Sequence, residues 1–302
     1  MGSYYLIHPS SDAEGVLTNA IVTPAEALPQ VVAATPGVSY RVASLIYAAD
    51  TYTPWDPALL FASGEIGWVE PMIPGVTLFQ DAAGTIPVTA AGQPVGLSKF
   101  TAGGQIGFVQ ATAANRPTYQ VDAQGRGCLA HNGLNQWMAA AAIAWGSDEA
   151  TICAGVRKLS DAAQGVVFES GSNSGGGGAE SGVFALLAPR TGADFGVNFK
   201  GSQISAATSA GQAAPKTVVV TGIGKISADI VRLRINGAQD AQSAADQGMG
   251  SYGTYPLYAG ARAGTGVYLN GARYPSVGIN RLLTEAELAQ LEAWVNARTG
   301  AF

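Results

Sequence analysis

The sequence predicts an all-β protein, an antiparallel sandwich with one helix at its C-terminal end and a small β segment at its N-terminal end. Three observations indicate this class. Short apolar runs of strand length recur between glycines, Asn-Gly pairs supply tight turns, and no regular alternation of strands and helices points to a parallel sheet. Hydrophobic residues make up 47% of the 302, and 40 residues are glycine, so the chain can build a core and many turns.

The N-terminal part of the chain differs from the rest. Strand-like pieces at Tyr4–Ile7 and Tyr40–Tyr47 are separated by segments that contain proline. This part is interpreted as a small β domain, or as arms that become ordered only against a partner. Because Pro71–Gly75 breaks the pattern, we expect an N-terminal segment over residues 1–70 and a sandwich domain over residues 71–302.

The sandwich domain contains apolar runs of the length of a strand, each bounded by glycine or polar residues. Lys216–Gly222 is continuous enough in its apolar character to predict a central strand that is covered on both faces. The other clear runs are Thr151–Arg157, Gly165–Glu169, Gly182–Ala188 and Phe195–Phe199. The glycine-rich stretch 170–182 is predicted to be a flexible loop between two of these strands.

Asn-Gly pairs mark the predicted hairpins. Ile230–Ile235 alternates between aliphatic side chains on one face and arginines on the other, and Asn236–Gly237 follows it with the sequence of a type I′ turn. Asn270–Gly271 repeats the pair after another short apolar run, and Asn132–Gly133 offers a third instance. The sequence therefore predicts hairpin turns at these places.

One helix is predicted close to the C-terminus. Thr284 has the position of an N-cap residue, and Glu287 three residues later completes a capping box. Arg298 and Gly300 suit the last turn and the end of the helix. The apolar side chains share one stripe, which we expect to lie against the sandwich: Leu288, Leu291, Trp294 and Val295.

Charge and composition argue against several classes of partner. The net charge is −5, and the 16 lysines and arginines are scattered, so we expect no nucleic-acid partner. No stretch approaches the roughly 18 consecutive apolar residues of a membrane span, so no membrane insertion is expected. The first residues lack the basic and apolar regions of a secretion signal, which favours synthesis in a cytoplasm without export. Cys128 and Cys153 are predicted to be buried free thiols.

The titratable residues form no recognisable catalytic pattern. His8 and His131 are the two histidines, and neither has a second ligand at metal-binding spacing. Glu169 is single on its strand, and the adjacent Asp148 and Glu149 point to opposite faces, so the paired carboxylates of a sandwich glycosidase are missing. We therefore predict a protein that is not an enzyme and that needs neither a metal nor another cofactor.

Two stretches combine aromatic rings with amide groups, the mixture that suits a sugar. The first comprises Asn135, Gln136 and Trp137, and the second carries Tyr252, Tyr255 and Tyr258, the residues of the candidate ligand site. An alternative is that Trp137 and Tyr258 only pack in the core or at a sheet edge.

Four segments carry a resemblance to a known family. Gly64–Pro71, Leu78–Gly96, Gln110–Tyr119 and Gly127–Met138 resemble a module of bacteriophage and prophage structural proteins. The resemblance implies a concanavalin A-like domain, of the laminin-G or jelly-roll type, over residues 71–302. At Trp68–Ile73 and at other positions the chain lacks acidic residues of the family's pattern, which weakens any calcium site and suggests packing against a neighbouring subunit.

The resemblance also implies a function. It indicates a phage virion structural protein at the virion surface, a tail fibre or appendage subunit whose sandwich adheres to a host glycan or receptor and whose residues 1–70 attach it to the particle. Its expected partners are other virion proteins and copies of itself. Two alternatives stay open, a capsid decoration or head fibre protein with a purely architectural role and a polysaccharide depolymerase on the same fold.

Overall fold

The chain forms two compact units, Met1–Tyr52 and Thr53–Phe302. The structure is a computed structural model and describes residues 4–8, 16–20, 55–173 and 180–302. In the first unit, β1 (Tyr4–His8) pairs in antiparallel register with β2 (Val16–Ala20). The strand predicted at Tyr4–Ile7 is confirmed, whereas the strand predicted at Tyr40–Tyr47 lies outside the described residues.

The second unit is rich in strands. Its strands begin with β3 (Gly67–Glu70), β4 (Leu78–Phe79), β5 (Leu97–Lys99), β6 (Gly107–Val109), β7 (Thr118–Val121), β8 (Gly127–Asn132), β9 (Met138–Ala144) and β10 (Glu149–Lys158). They continue with β11 (Val166–Ser170), β12 (Val183–Leu187), β13 (Gly196–Lys200), β14 (Ile204–Thr208), β15 (Lys216–Lys225), β16 (Ile230–Ile235), β17 (Ala238–Ser243), β18 (Thr254–Ala259) and β19 (Asn270–Ile279). The helices are α1 (Glu285–Thr299) and the short 3-10 segments Pro57–Phe61, Ala113–Asn115 and Ile226–Ala228.

These strands form two sheets, and the strand pairs within them are antiparallel. The eight-stranded sheet has the order β17-β16-β15-β10-β19-β8-β7, with β3 pairing with β19 beyond the end of β8. The nine-stranded sheet has the order β14-β13-β12-β11-β18-β9-β6-β5-β4. The predicted fold class, an antiparallel sandwich with one C-terminal helix, is therefore confirmed.

The main core lies between the two sheets, where each sheet buries its inward-facing side chains. Aromatic rings meet across it: Trp68 of β3 lies 5.5 Å from Phe168 of β11, and Phe168 lies 5.7 Å from Phe108 of β6, measured between ring centroids. Such contacts add to the burial of apolar area, which is the main stabilising contribution in a sandwich.

Two of the sequence predictions concern strands of the eight-stranded sheet. The run Lys216–Gly222 is part of β15, which lies between β16 and β10 and is buried along most of its length, as predicted for a central strand. β16 and β17 form the predicted hairpin. Asn236 has φ 52° and Gly237 has φ 81°, the pair of positive angles that a type I′ turn requires.

The other two Asn-Gly predictions are wrong in different ways. Asn270–Gly271 is the start of β19, where Gly271 is opposite His131 of β8 and lies so close to the Arg157 carbonyl that a β-carbon would not fit. Gly133 does form a turn, with φ 74°, but this turn connects β8 in one sheet to β9 in the other and so does not close a hairpin.

Helix α1 forms as the sequence predicts. The Thr284 hydroxyl accepts a hydrogen bond from the Glu287 amide, and the Glu287 carboxylate accepts one from the Thr284 amide, which completes the capping box. Gly300 ends the helix in the left-handed conformation. The stripe packs on the outer face of the eight-stranded sheet, where a second apolar cluster includes Cys153, Ile223, Leu288, Leu291 and Val295.

The sandwich begins earlier in the chain than the sequence suggests. Gly67–Glu70 precedes Pro71–Gly75, yet it is a strand of the eight-stranded sheet, and the compact unit starts at Thr53. The pairing of β3 with the C-terminal β19 explains why the segment belongs here, because this contact joins residues far apart in the chain. Both cysteines are buried and free, as predicted. Within the described residues, no helix is long and apolar enough to cross a bilayer.

Candidate ligand-binding face

One ring from each of the two predicted stretches meets the other in the structure. Trp137, directly before β9, and Tyr258 of β18 have ring centroids 6.0 Å apart and planes inclined at 51°. Both side chains are half-buried. β9 and β18 are neighbours, and Tyr258 is opposite Ala139 in their ladder, which brings together two parts of the sequence that are far apart.

The Tyr258 ring belongs to the outer face of the nine-stranded sheet. Its neighbours Leu257 and Ala259 are buried in the core between the sheets, so Tyr258 points the other way. On the opposite side of β18, Tyr258 is paired with Glu169 of β11. Directly opposed residues of an antiparallel pair share a face, so the Glu169 side chain is also on the outer face.

An arginine covers this carboxylate. The Nε of Arg262 lies 3.1 Å from both carboxylate oxygens of Glu169, which is fully buried, whereas the Arg262 side chain is 21% exposed. The Nη2 of Arg262 is buried and has no hydrogen-bond partner among the described residues. The ion pair therefore lies beside the aromatic pair and has unused donor capacity.

A tight turn joins the aromatic pair to the ion pair. It runs from Arg262 to Thr265, and its central residues Ala263 and Gly264 have φ 49° and 69°, as in a type I′ turn. A β-carbon at Gly264 would lie 2.5 Å from the Trp137 ring, so the turn packs directly on the indole. The same four residues thus hold Arg262 over Glu169 and support one side of Trp137.

A second polar group lies farther along the same row of the sheet. Asn198 of β13 is opposite Ala185 of β12, which is opposite Glu169, so all three share the outer face. Arg190 donates to the Asn198 side-chain oxygen through Nε at 2.9 Å and to the Thr208 hydroxyl through Nη1 at 3.2 Å. The row thus carries polar groups on both sides of the small Ala185; Glu169, Ala185 and Asn198 are buried, and Arg262 and Arg190 are partly exposed.

The predicted residues Asn135 and Gln136 hold the loop that carries Trp137. The Asn132 side-chain oxygen accepts hydrogen bonds from the backbone amides of Leu134 and Asn135. The side-chain amide of Asn135 donates to the Ala114 backbone carbonyl at 3.1 Å. The Gln136 carbonyl lies 3.1 Å from Nδ1 of the buried His131. These bonds position the indole of the next residue.

The two remaining tyrosines lie away from the aromatic pair. Tyr252 is 1% exposed and packs between Phe184 and Phe199, so it is a core residue, contrary to its predicted place in a ligand site. Burial raises the pKa of its hydroxyl well above the usual value. Tyr255 is half-buried, and its hydroxyl donates to the Ser181 carbonyl at 2.9 Å. Tyr252 lies before β18, which begins at Thr254, so the alternation of side chains along a strand could not predict which way it points.

Sequence reasoning missed Glu169, Arg262, Arg190 and Asn198 as members of this face. A carboxylate directly after the apolar residues Val166–Phe168 was a usable signal, because such a group needs a partner when its strand is buried. The identity of that partner was not readable, since it depends on the turn after β18.

Three buried glutamates serve as counter-ions to arginines. The buried Glu70, Glu169 and Glu292 are bound to Arg273, Arg262 and Arg234 at 2.9, 3.1 and 2.8 Å, respectively. Among the residues that the structure describes, no three His, Cys, Asp or Glu side chains converge as metal ligands would.

The sequence matches no protein-family model and no curated protein. Domain 4 of an extracellular arabinanase from Geobacillus stearothermophilus, in complex with arabinotriose, has a TM-score of 0.51 and 10% identity over 76% of this chain and 100% of that chain. The Ruminococcus gnavus sialidase CBM40 with α2,3-sialyllactose has a TM-score of 0.37 and 20% identity over 47% and 80%.

A third similar structure is the binding domain of botulinum neurotoxin DC in complex with SialylT, with a TM-score of 0.45 and 9% identity over 62% of this chain. The chain spans about half the length of the botulinum neurotoxin structures it matches, for example 48% of this one. At such identities, the likeness to the arabinanase domain shows a shared jelly-roll sandwich fold.

Proposed function

We propose that the sandwich is a glycan-binding module and that the outer face of its nine-stranded sheet contacts the sugar. The observation that carries the proposal is the meeting of Trp137 and Tyr258 beside the Glu169–Arg262 ion pair. Aromatic rings suit the apolar faces of sugars, and charged and amide groups suit their hydroxyls. The arabinanase domain with the same fold binds arabinotriose, which supports a sugar as the ligand class.

Within this proposal the chain acts by binding and not by catalysis. The buried Glu70, Glu169 and Glu292 are paired with arginines, and this pairing favours a structural use of their charge. The module is proposed to belong to a phage virion appendage at the virion surface, as its sequence resemblance implies, with the Met1–Tyr52 unit attaching it to other virion proteins. Host glycans are then its proposed targets, and copies of the chain are its neighbours.

A glycan microarray with the full chain tests the binding proposal. Trp137→Ala is expected to lower the apparent affinity for any bound glycan by about tenfold, which corresponds to about 1.4 kcal/mol. Trp294→Ala is the matched control, since Trp294 is a half-buried tryptophan on helix α1 and stacks against Arg298. A blank array, or equal losses in both variants, would count against this face as the site.

The virion assignment has its own test. Mass spectrometry of purified phage particles should detect the chain, and a particle reconstruction should place it on the tail or another appendage. Absence from the particles would remove the virion proposal and leave glycan binding to be judged by the array. A position on the capsid would favour the architectural alternative.

A further inference from the structure

A separate pocket lies on the outer face of the eight-stranded sheet. It is a half-open depression of about 320 Å³ where the turn after β7, the start of β15 and the C-terminal end of helix α1 meet. The side chains that matter for its chemistry are those of Asp122, Gln124, Arg126, Arg157, Thr217 and Tyr274. Trp137 and Tyr258 belong to the other sheet, so this pocket is distinct from the aromatic face.

Arg157 of β10 supplies an uncompensated charge. Val156 is buried in the core, so Arg157 points outward, and its partners in the two neighbouring strands are Thr217 and Ala272. The Arg157 side chain is exposed and makes no hydrogen bond or ion pair within the described residues. Since Ala272 is small, it leaves space beside the guanidinium, and the Thr217 hydroxyl lies on the same face.

The second arginine of the pocket is already neutralised. The Nε of Arg126 lies 2.8 Å from the Asp122 carboxylate, and its Nη2 donates to the Gln124 side chain at 3.0 Å. Its guanidinium also lies against Gly300, at the end of α1 where the last carbonyls carry partial negative charge. Arg126 thus offsets Asp122, and the charge of Arg157 exceeds the partial negative charge of the helix end, so the pocket is net positive in a chain whose net charge is −5.

We propose that this pocket binds the carboxylate of an acidic sugar residue, with Arg157 as its charged partner. A guanidinium binds a carboxylate through two parallel hydrogen bonds, a geometry that a neutral sugar cannot offer. Thr217 and Gln124 supply partners for hydroxyl groups, and the buried Tyr274 forms an apolar wall. The volume lies at the lower end of small-ligand sites, which start at roughly 300 Å³, and suits a single sugar residue.

The test is to add each probe stepwise to the full chain and to monitor binding by two-dimensional NMR, including the Nε–H signals of the arginine side chains. The probes are D-glucuronate and N-acetylneuraminate, with D-glucose as the neutral match and acetate and inorganic phosphate as simple anions. We expect both acidic sugars to shift the Arg157 signal, and Arg157→Ala to weaken their binding at least about tenfold. Arg232→Ala, which removes the same charge from another strand of the sheet, is expected to leave their binding unchanged.

Several outcomes would overturn the proposal. No shift with either acidic sugar, equal binding of glucose, or unchanged binding by Arg157→Ala would each do so. Equal binding of acetate or phosphate would reduce the pocket to a site for simple anions and overturn the sugar assignment. Repeating the titration with Trp137→Ala separates the two sites, because acidic-sugar binding in this pocket should survive the loss of the aromatic face.

Discussion

Arg273 and Glu70 form an ion pair inside the core of the sandwich. The Nη1 of Arg273 lies 2.9 Å from the Glu70 carboxylate, and both side chains are fully buried. Ser98 and Ser276 donate to the same carboxylate at 2.8 and 3.0 Å. The guanidinium also stacks near two rings, its carbon lying 5.0 Å from the centroid of Phe168. The network joins β3 and β19 of one sheet to β5 of the other.

Removing one member of this pair is expected to be strongly destabilising. Glu70→Gln leaves a buried guanidinium without its counter-charge, and we expect a loss of about 3–5 kcal/mol in the free energy of unfolding, measured by denaturant titration. The control is Lys225→Met, which breaks the partly exposed pair with Glu149 and should cost much less than Glu70→Gln. Equal small losses in both variants would contradict the importance of the buried pair.

The buried His131 should make the stability of the fold depend on pH. Burial, with a smaller contribution from the charge of Arg273, lowers its pKa from 6.5 to about 3. The Nε of Arg273 can only donate a hydrogen bond, and it lies 3.2 Å from Nε2 of His131, which must therefore accept. The neutral His131 ring thus carries its proton on Nδ1 and donates it to the Gln136 backbone carbonyl. Below pH 6.5 the unfolded chain binds a proton that the folded chain does not, so stability falls as the pH falls towards 3.

We expect the free energy of unfolding to drop by about 2–3 kcal/mol between pH 7.5 and 4.5, and this part of the dependence to be missing in His131→Gln. The range stops at pH 4.5 because carboxylates with lowered pKa values, such as Glu287 at about 2, lose their stabilising charge at lower pH. His8→Gln serves as the control and should keep the slope. An unchanged slope in His131→Gln would show that another group titrates.

The turn beside Trp137 contains a residue that is poorly suited to its backbone. Ala263 has φ 49° in a type I′ turn, where Asn or Gly is preferred. Ala263→Asn is therefore expected to raise the free energy of unfolding by up to about 1 kcal/mol, since the left-handed conformation costs an ordinary residue roughly 1–2 kcal/mol. Gly264→Ala should do the reverse and change Trp137 fluorescence, because its β-carbon would collide with the indole. A neutral or negative effect of Ala263→Asn would contradict the strain.

The capping box of helix α1 should contribute measurably to stability. Thr284→Ala removes the side-chain acceptor for the Glu287 amide, and we expect a loss of about 1 kcal/mol in the free energy of unfolding. Thr284→Ser keeps the acceptor and is the matched control. If both variants lose the same amount, the Thr284 methyl group and not the cap is responsible.

The elements that could be predicted from the sequence are those fixed by neighbours in the chain. The hairpin at Asn236–Gly237 and the capped helix from Thr284 to Gly300 depend on contacts within a few residues, and both were correct. The hairpin predicted at Asn270–Gly271 was wrong because an Asn-Gly pair can also begin a strand. Here Gly271 lies against the carbonyl of Arg157, a residue that is distant in the sequence.

The candidate site was predicted only in part for the same reason. Trp137 and Tyr258 were identified as candidates one stretch at a time, but their meeting depends on the pairing of β9 with β18. Glu169 was seen as a single carboxylate, and Arg262 reaches it only because a turn folds back over β11. Tyr252 has the same residue type and spacing as its neighbours, yet it lies in the core.

The sequence by itself determined the fold class, several strands, one hairpin and the ends of the helix, because alternation, turn residues and caps act over short distances. The tertiary structure decided the strand order, the place of β3 in the sandwich, the buried Arg273–Glu70 pair and the two faces that are candidates for sugars. Each of these depends on which distant strands pair and in which register, since register determines which side chains share a face.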